Sequence, residues 1–232
     1  MKKFKVVILS LCAGIVMSAC SSMAKGTAIG AAGGAVLGAV VGKVAGNTAV
    51  GAAIGTAVGA GAGALIGKKM DKVKAQAQAV QNAQVESVTD ANGLQAVKVT
   101  FDSGILFTTG SATLSQTAMN SLSNFANVLK QNTDCDVSIQ GYTDNAGWKN
   151  STAEQSAQKN LNLSQQRAQA VTSYLQSVGV SAAQIRATTG YGEANPVADN
   201  STAAGKAQNR RVEVYMYASQ AMIQAAEAGT LQ

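Results

Sequence analysis

The chain has 232 residues, 18 Lys and Arg against 12 Asp and Glu, three cysteines and no histidine. Without imidazole, Ser-His-Asp and Cys-His nucleophiles and His-ligated zinc are excluded. No paired-carboxylate or Ser-x-x-Lys signature replaces them, so a binding protein that needs no cofactor, and no enzyme, is expected. The net charge of +6 does not mark a nucleic-acid partner, because Lys2, Lys3, Lys5, Lys68, Lys69, Lys72 and Lys74 all precede Glu86. Between Glu86 and Tyr217 nine Lys and Arg face ten Asp and Glu, which leaves no basic surface able to displace counterions.

Residues 1–19 have the layout of a signal peptide: a positive start at Lys2, Lys3 and Lys5, an apolar run from Val6 to Val16, then small residues. The run is too short to span a bilayer. Met17-Ser18-Ala19-Cys20 resembles the lipobox of bacterial lipoproteins, with Met17 where leucine is usual. That resemblance implies cleavage before Cys20 and its acylation, palmitate included, with 20–25 as the lipidated terminus. Several acyl chains exceed what stable anchoring needs. Ser21 and Ser22 follow the cysteine with no Asp, which by similarity to Gram-negative lipoproteins implies sorting to the outer membrane, with the folded domain in the periplasm. Cys12 leaves with the leader and Cys20 is acylated, so Cys135 has no internal partner and is read as a small residue beside a strand.

Over 26–69 glycine recurs every four residues, from Gly26 to Gly46 and again from Gly51 to Gly67. On a helix this period makes a smooth stripe that lets a second helix approach closely. Gly46-Asn47 is turn chemistry, so a glycine-zipper helical hairpin is expected. It either lies on the membrane as a spacer or inserts and self-associates as a homo-oligomer. Residues 70–92 turn polar and Ala/Gln-rich and read as an exposed helix and linker.

The remaining stretch, 93–218, reads as α+β, with 219–232 as a tail. Val97–Phe101 and Asp136–Gln140 alternate as strands, and Ile185–Gly190 and Val212–Tyr217 complete the set. Ser115 is a fitting N-cap for a helix to Leu129. A second amphipathic helix spans Leu163–Val178, with Ala168, Val171, Tyr174 and Leu175 on its apolar side and Gly179 at its end. Helices on one face of a small sheet are expected.

Five pieces carry a resemblance: Phe107-Thr-Thr-Gly-Ser-Ala-Thr-Leu114, Gly141-Tyr-Thr-Asp-Asn-Ala-Gly147, Asn160-Leu-Asn-Leu-Ser-Gln-Gln-Arg-Ala168, Gly190-Tyr-Gly-Glu193 and Asn209-Arg-Arg-Val-Glu213. In this order they are similar to the OmpA C-terminal-like domain, a peptidoglycan-binding module. With the lipobox and the Gly-rich spacer the chain resembles OmpA-family lipoproteins of the YiaD type. The resemblance implies a βαβαβ(α)β domain with a small mixed sheet. Trp148–Lys159 is longer than the family pattern and reads as a surface loop.

The resemblance also implies a ligand, the diaminopimelate of the peptidoglycan stem peptide, whose tip carries an ammonium and a carboxylate. Asp144 matches the family's ammonium-binding residue and Arg167 its carboxylate-binding residue; a guanidinium fork suits a carboxylate. Were the helix to begin at Ser164, Arg167 would lie in its first turn, where the macrodipole disfavours a cation and favours a bound anion. Phe107, Thr108 and Thr109 match a loop that closes over the ligand, and Asn145, Leu163, Arg210 and Arg211 map near the site. Each arginine of that pair either contacts ligand or ties the last strand to a carboxylate. A membrane-to-wall tether follows, the alternative being a zipper scaffold or envelope assembly factor positioned by its wall-binding domain.

Overall fold

The structure, a computed structural model, describes residues 58–90 and 92–231. Cys20, the leader and the turn at Gly46-Asn47 lie outside the described residues, as does most of the zipper. Among the described residues no helix is long and apolar enough to cross a membrane.

Five strands form one sheet: β1 (Ala83–Thr89), β2 (Gln95–Asp102), β3 (Cys135–Gly141), β4 (Ile185–Gly190) and β5 (Arg211–Ala218). Their order is β1-β2-β5-β3-β4. Every pairing is antiparallel except that of β3 with β4. The period-2 pattern decides the faces. Val97, Val99 and Phe101 of β2, Val212, Val214 and Met216 of β5, and Val137 and Ile139 of β3 all enter the buried cluster, and register aligns Val99 with Val214 and Val214 with Ile139. Lys98, Gln140, Arg211, Glu213 and Tyr215 alternate to the other face, where Tyr215 Oη donates to Glu213 Oε2 at 2.7 Å. Cys135 sits in the core, and burial pushes its thiol up to about 12.

The helices are α1 (Ala60–Gln78), the short α2 (Ser103–Leu106), α3 (Gln116–Gln131), α4 (Ala153–Ser177), α5 (Ala203–Asn209) and α6 (Gln220–Glu227). Ser115 caps α3 as expected, its side chain accepting from Ala118 N. Phe125 of α3 meets Phe101 edge-to-face at 5.6 Å between ring centroids.

Three expectations are corrected by packing. Residues 70–92 begin as the expected helix but do not continue as an exposed linker: α1 starts inside the glycine-rich stretch, runs to Gln78 and buries Ile66, Met70, Val73 and Ala77. That i, i+4, i+7, i+11 stripe is apolar, but the surrounding Ala, Gln and Lys dilute it. β1 follows as an edge strand joined to β2 by a turn in which Asp90 Oδ1 accepts from Asn92 N and Leu94 N. Few of its side chains are buried, so it lacks the alternation that reveals an interior strand. The stretch 219–232 is no free tail either, because α6 buries Met222, Ile223 and Ala226.

The third correction concerns α4, which begins ten residues before the expected Leu163. Thr152 and Gln155 form a reciprocal capping box: Thr152 Oγ1 accepts from Gln155 N at 3.2 Å, and Gln155 Oε1 from Thr152 N at 3.0 Å. The early turns are polar and exposed, so hydrophobic periodicity could not show them. Most of the segment expected as a loop over Trp148–Lys159 is therefore helix.

Candidate functional site

The candidate residues gather where β3 and β4 end against α4, and two glycines set that approach. A Cβ at Gly141 would fall 2.2 Å from Ser164 O, and one at Gly190 2.2 Å from Gln165 N. Hydrogen bonds then fix the helix in place. Gln165 Oε1 accepts from Gly190 N at 2.6 Å, and Ser164 Oγ from Gly192 N at 2.8 Å. Thr143 N donates in turn to Gly192 O at 2.8 Å. The chain leaving β3 and the middle of α4 are thereby laced together, with Asp144 on one and Arg167 on the other.

Asp144 is only 6% exposed. Its Oδ1 accepts from Ala146 N at 3.1 Å, an Asx turn, and its Oδ2 pairs with Arg210 Nη1 at 2.5 Å. The loop carrying it is held from α4 by Asn160, whose Nδ2 donates to Ala146 O at 3.1 Å and to Asp144 O at 3.4 Å. Asn160 Oδ1 accepts from Trp148 Nε1 at 2.7 Å. Sequence reasoning did not single out Asn160 as a site residue. The signal was its place seven residues before Arg167, two turns along one helix face.

Arg167 is 3% exposed. Its Nε donates to Ser111 O at 3.0 Å and its guanidinium carbon lies 5.1 Å from the Phe107 ring centroid. Among the described residues it forms no ion pair. Burial lowers its pKa, the charge of Arg210 lowers it further and Asp144 opposes both; the guanidinium remains protonated all the same. Arg167 stands mid-helix, so the first-turn dipole argument fails, because the capping box carries the helix start back to Thr152. What favours an anion here is a buried cation with no carboxylate of its own.

The other expected residues divide. Phe107 is buried under Arg167, and Thr108 and Thr109 are exposed beside it. Thr108 O accepts from Ser111 N, closing the turn that Arg167 grips. Leu163 is buried one helical turn before Arg167, and Asn145 is exposed next to Asp144. The arginine pair separates: Arg210 joins Asp144, while Arg211 turns to the polar sheet face. Arg211 Nε meets Glu213 Oε1 at 2.7 Å and its guanidinium lies 3.9 Å from the Tyr142 ring centroid. Arg211 is thus a strand-fastening residue.

Residues 106–210 match the OmpA family model, so this stretch of the chain is OmpA-like. Residues 1–71 match the YMGG-like Gly-zipper model. Among curated relatives, Probable lipoprotein YiaD of Escherichia coli (strain K12) is 48% identical over 116 residues, 50% of this chain and 46% of the relative. Peptidoglycan-binding protein ArfA of Mycobacterium tuberculosis is 45% identical over 93 residues, 40% of this chain and 26% of the relative. The chain thus spans less than half the length of these relatives. Among solved structures, the cell wall anchor of the T6SS from Pseudomonas aeruginosa is similar at TM-score 0.51 and 29% identity, covering 65% of this chain and 97% of that one. A MotB-like protein from Desulfovibrio vulgaris shares the fold at TM-score 0.57 and 20% identity, covering 68% and 99%.

Proposed function

We propose that this protein is a non-enzymatic tether that binds peptidoglycan through the zwitterionic end of diaminopimelate. Asp144 receives the ligand's ammonium and Arg167 its carboxylate, with Thr108, Thr109 and Asn145 forming the rim and Phe107 and Leu163 buried behind Arg167. The observation that carries the reading is Arg167: a nearly fully buried guanidinium that feels the charge of Asp144, held by one backbone carbonyl and an aromatic face and, among the described residues, without an ion pair. Its chemistry fits a ligand carboxylate approached two-pronged. The relatives support it, one being a peptidoglycan-binding protein and another a cell wall anchor. The other end of the tether is acylated Cys20 in the outer membrane, as the lipobox resemblance and the likeness to a lipoprotein suggest. The glycine zipper is the spacer between.

Co-sedimentation with purified peptidoglycan tests the site. Asp144→Ala and Arg167→Ala should each abolish most binding, and binding equal to wild type defeats the assignment. The zipper match over residues 1–71 favours one further reading, an oligomerising membrane scaffold that the wall domain merely positions. Cross-linking a chain lacking 26–67 decides it, because only the scaffold predicts loss of oligomers.

A further inference from the structure

Asp144 is already engaged. Its Oδ2 is taken by Arg210, whose side chain is 38% exposed to solvent, whereas the Asp144 side chain is enclosed. Arg167 stands one helical turn past Ser164, whose Oγ accepts from Gly192 N while Gly192 O accepts from Thr143 N next to Asp144, so its charge faces the same corner as the pair. The free site therefore holds two cations and one anion. An incoming ammonium must displace or share Arg210, and the released guanidinium would be left near Arg167, a like charge. Only a ligand that brings its own carboxylate satisfies both arginines at that moment.

We propose that Arg210 is a built-in competitor for Asp144 that makes the site select zwitterions over simple amines. The proposal rests on the binding reading above and adds to it a specificity residue that works by rejection as well as attraction. A plain amine meets an occupied carboxylate and an uncompensated pair of cations. A zwitterion exchanges one ion pair for three charge contacts, Asp144 taking its ammonium while Arg210 and Arg167 share its carboxylate.

The test uses the full-length chain in detergent micelles, titrated calorimetrically with diaminopimelate, with cadaverine, which keeps only the amines, and with pimelate, which keeps only the carboxylates. Wild type should bind diaminopimelate at least about tenfold more tightly than either. In Arg210→Gln, cadaverine should tighten by about tenfold while diaminopimelate weakens or holds, so that discrimination collapses. Adding Asp144→Ala should erase the cadaverine gain. Arg210→Lys keeps the charge and should preserve discrimination within a few fold, and circular dichroism verifies the fold of each variant. If Arg210→Gln weakens diaminopimelate and leaves cadaverine unchanged, Arg210 is an ordinary contact and the proposal is overturned; it is overturned equally if neither ligand responds. Failure of wild type to bind diaminopimelate defeats the binding reading instead. In that case zwitterion selection falls with it, and the cadaverine arm reports only whether Arg210 shields Asp144 from amines.

Discussion

Replacing Arg167 with methionine separates a binding residue from a structural one, because the two roles predict opposite changes in stability. Methionine retains most of the apolar stem over Phe107 but removes the charge. The losses are one charge-assisted hydrogen bond to Ser111 O, worth about 1.5–3 kcal/mol, and a cation–π contact worth about 0.5–2 kcal/mol. Against them stands the penalty of holding a cation at 3% exposure, which is several kcal/mol for an ion without a full partner. Burial outweighs the attraction of Asp144 in setting the direction of Arg167's pKa, so desolvation is the larger effect. Ser111 is only half-buried, and water can take over its carbonyl. Arg167→Met should therefore be neutral to stabilising by up to about 2 kcal/mol, with the midpoint rising about 2–4 °C per kcal/mol for a chain of this size. Peptidoglycan binding should meanwhile weaken by about thirtyfold or more, the equivalent of 2 kcal/mol lost at a buried charged contact. Thermal unfolding and wall co-sedimentation on the same preparations measure both. A fall in midpoint of about 10 °C, or wild-type binding, would refute the reasoning.

Other expectations follow from packing and caps. Gly190→Ala forces a methyl into the backbone of Gln165 and should destabilise by about 1–3 kcal/mol. It should also weaken wall binding, because the shift is transmitted to Arg167; an unchanged midpoint would contradict the close approach. Thr152→Ala removes the capping box of α4 and should lower stability by about 1 kcal/mol, with helical ellipticity slightly reduced and wall binding retained. Ile223→Ala should destabilise by about 2–5 kcal/mol in urea titrations, whereas a free tail would tolerate it within about 0.5 kcal/mol. Asp90 is buried, and desolvation raises its pKa above the ordinary 3.8 despite its backbone hydrogen bonds. The folded protein then holds that proton more tightly than the unfolded chain, so the contribution is present at low pH and lost as pH rises through the raised folded value. Asp90→Asn should accordingly be more stable than wild type at pH 7, with the gap closing as the pH falls through that value; a gap that widens on acidification would reverse the sign.

Much of the domain could be read from the chain because its signals are local. Alternation in Val97–Phe101 and Val212–Tyr217 and the cap at Ser115 mark the α+β class, and the ordered pieces around Asp144 and Arg167 carry the resemblance that proposes those two residues as a site. Local signals failed where stabilisation comes from elsewhere in the chain. The polar early turns of α4 rest on the cap pair Thr152 and Gln155, β1 needs β2 for its hydrogen bonds, and α1 and α6 are helices whose sparse apolar stripes gain meaning only against each other and the sheet. The same holds within the site. Residue types at Asp144, Arg167, Arg210 and Arg211 show that charge of both signs is available. Which arginine pairs with Asp144, which turns to Glu213, and which is left buried without a carboxylate depends on how β3, β5 and α4 converge, since Coulomb energies follow distance and desolvation rather than position along the chain.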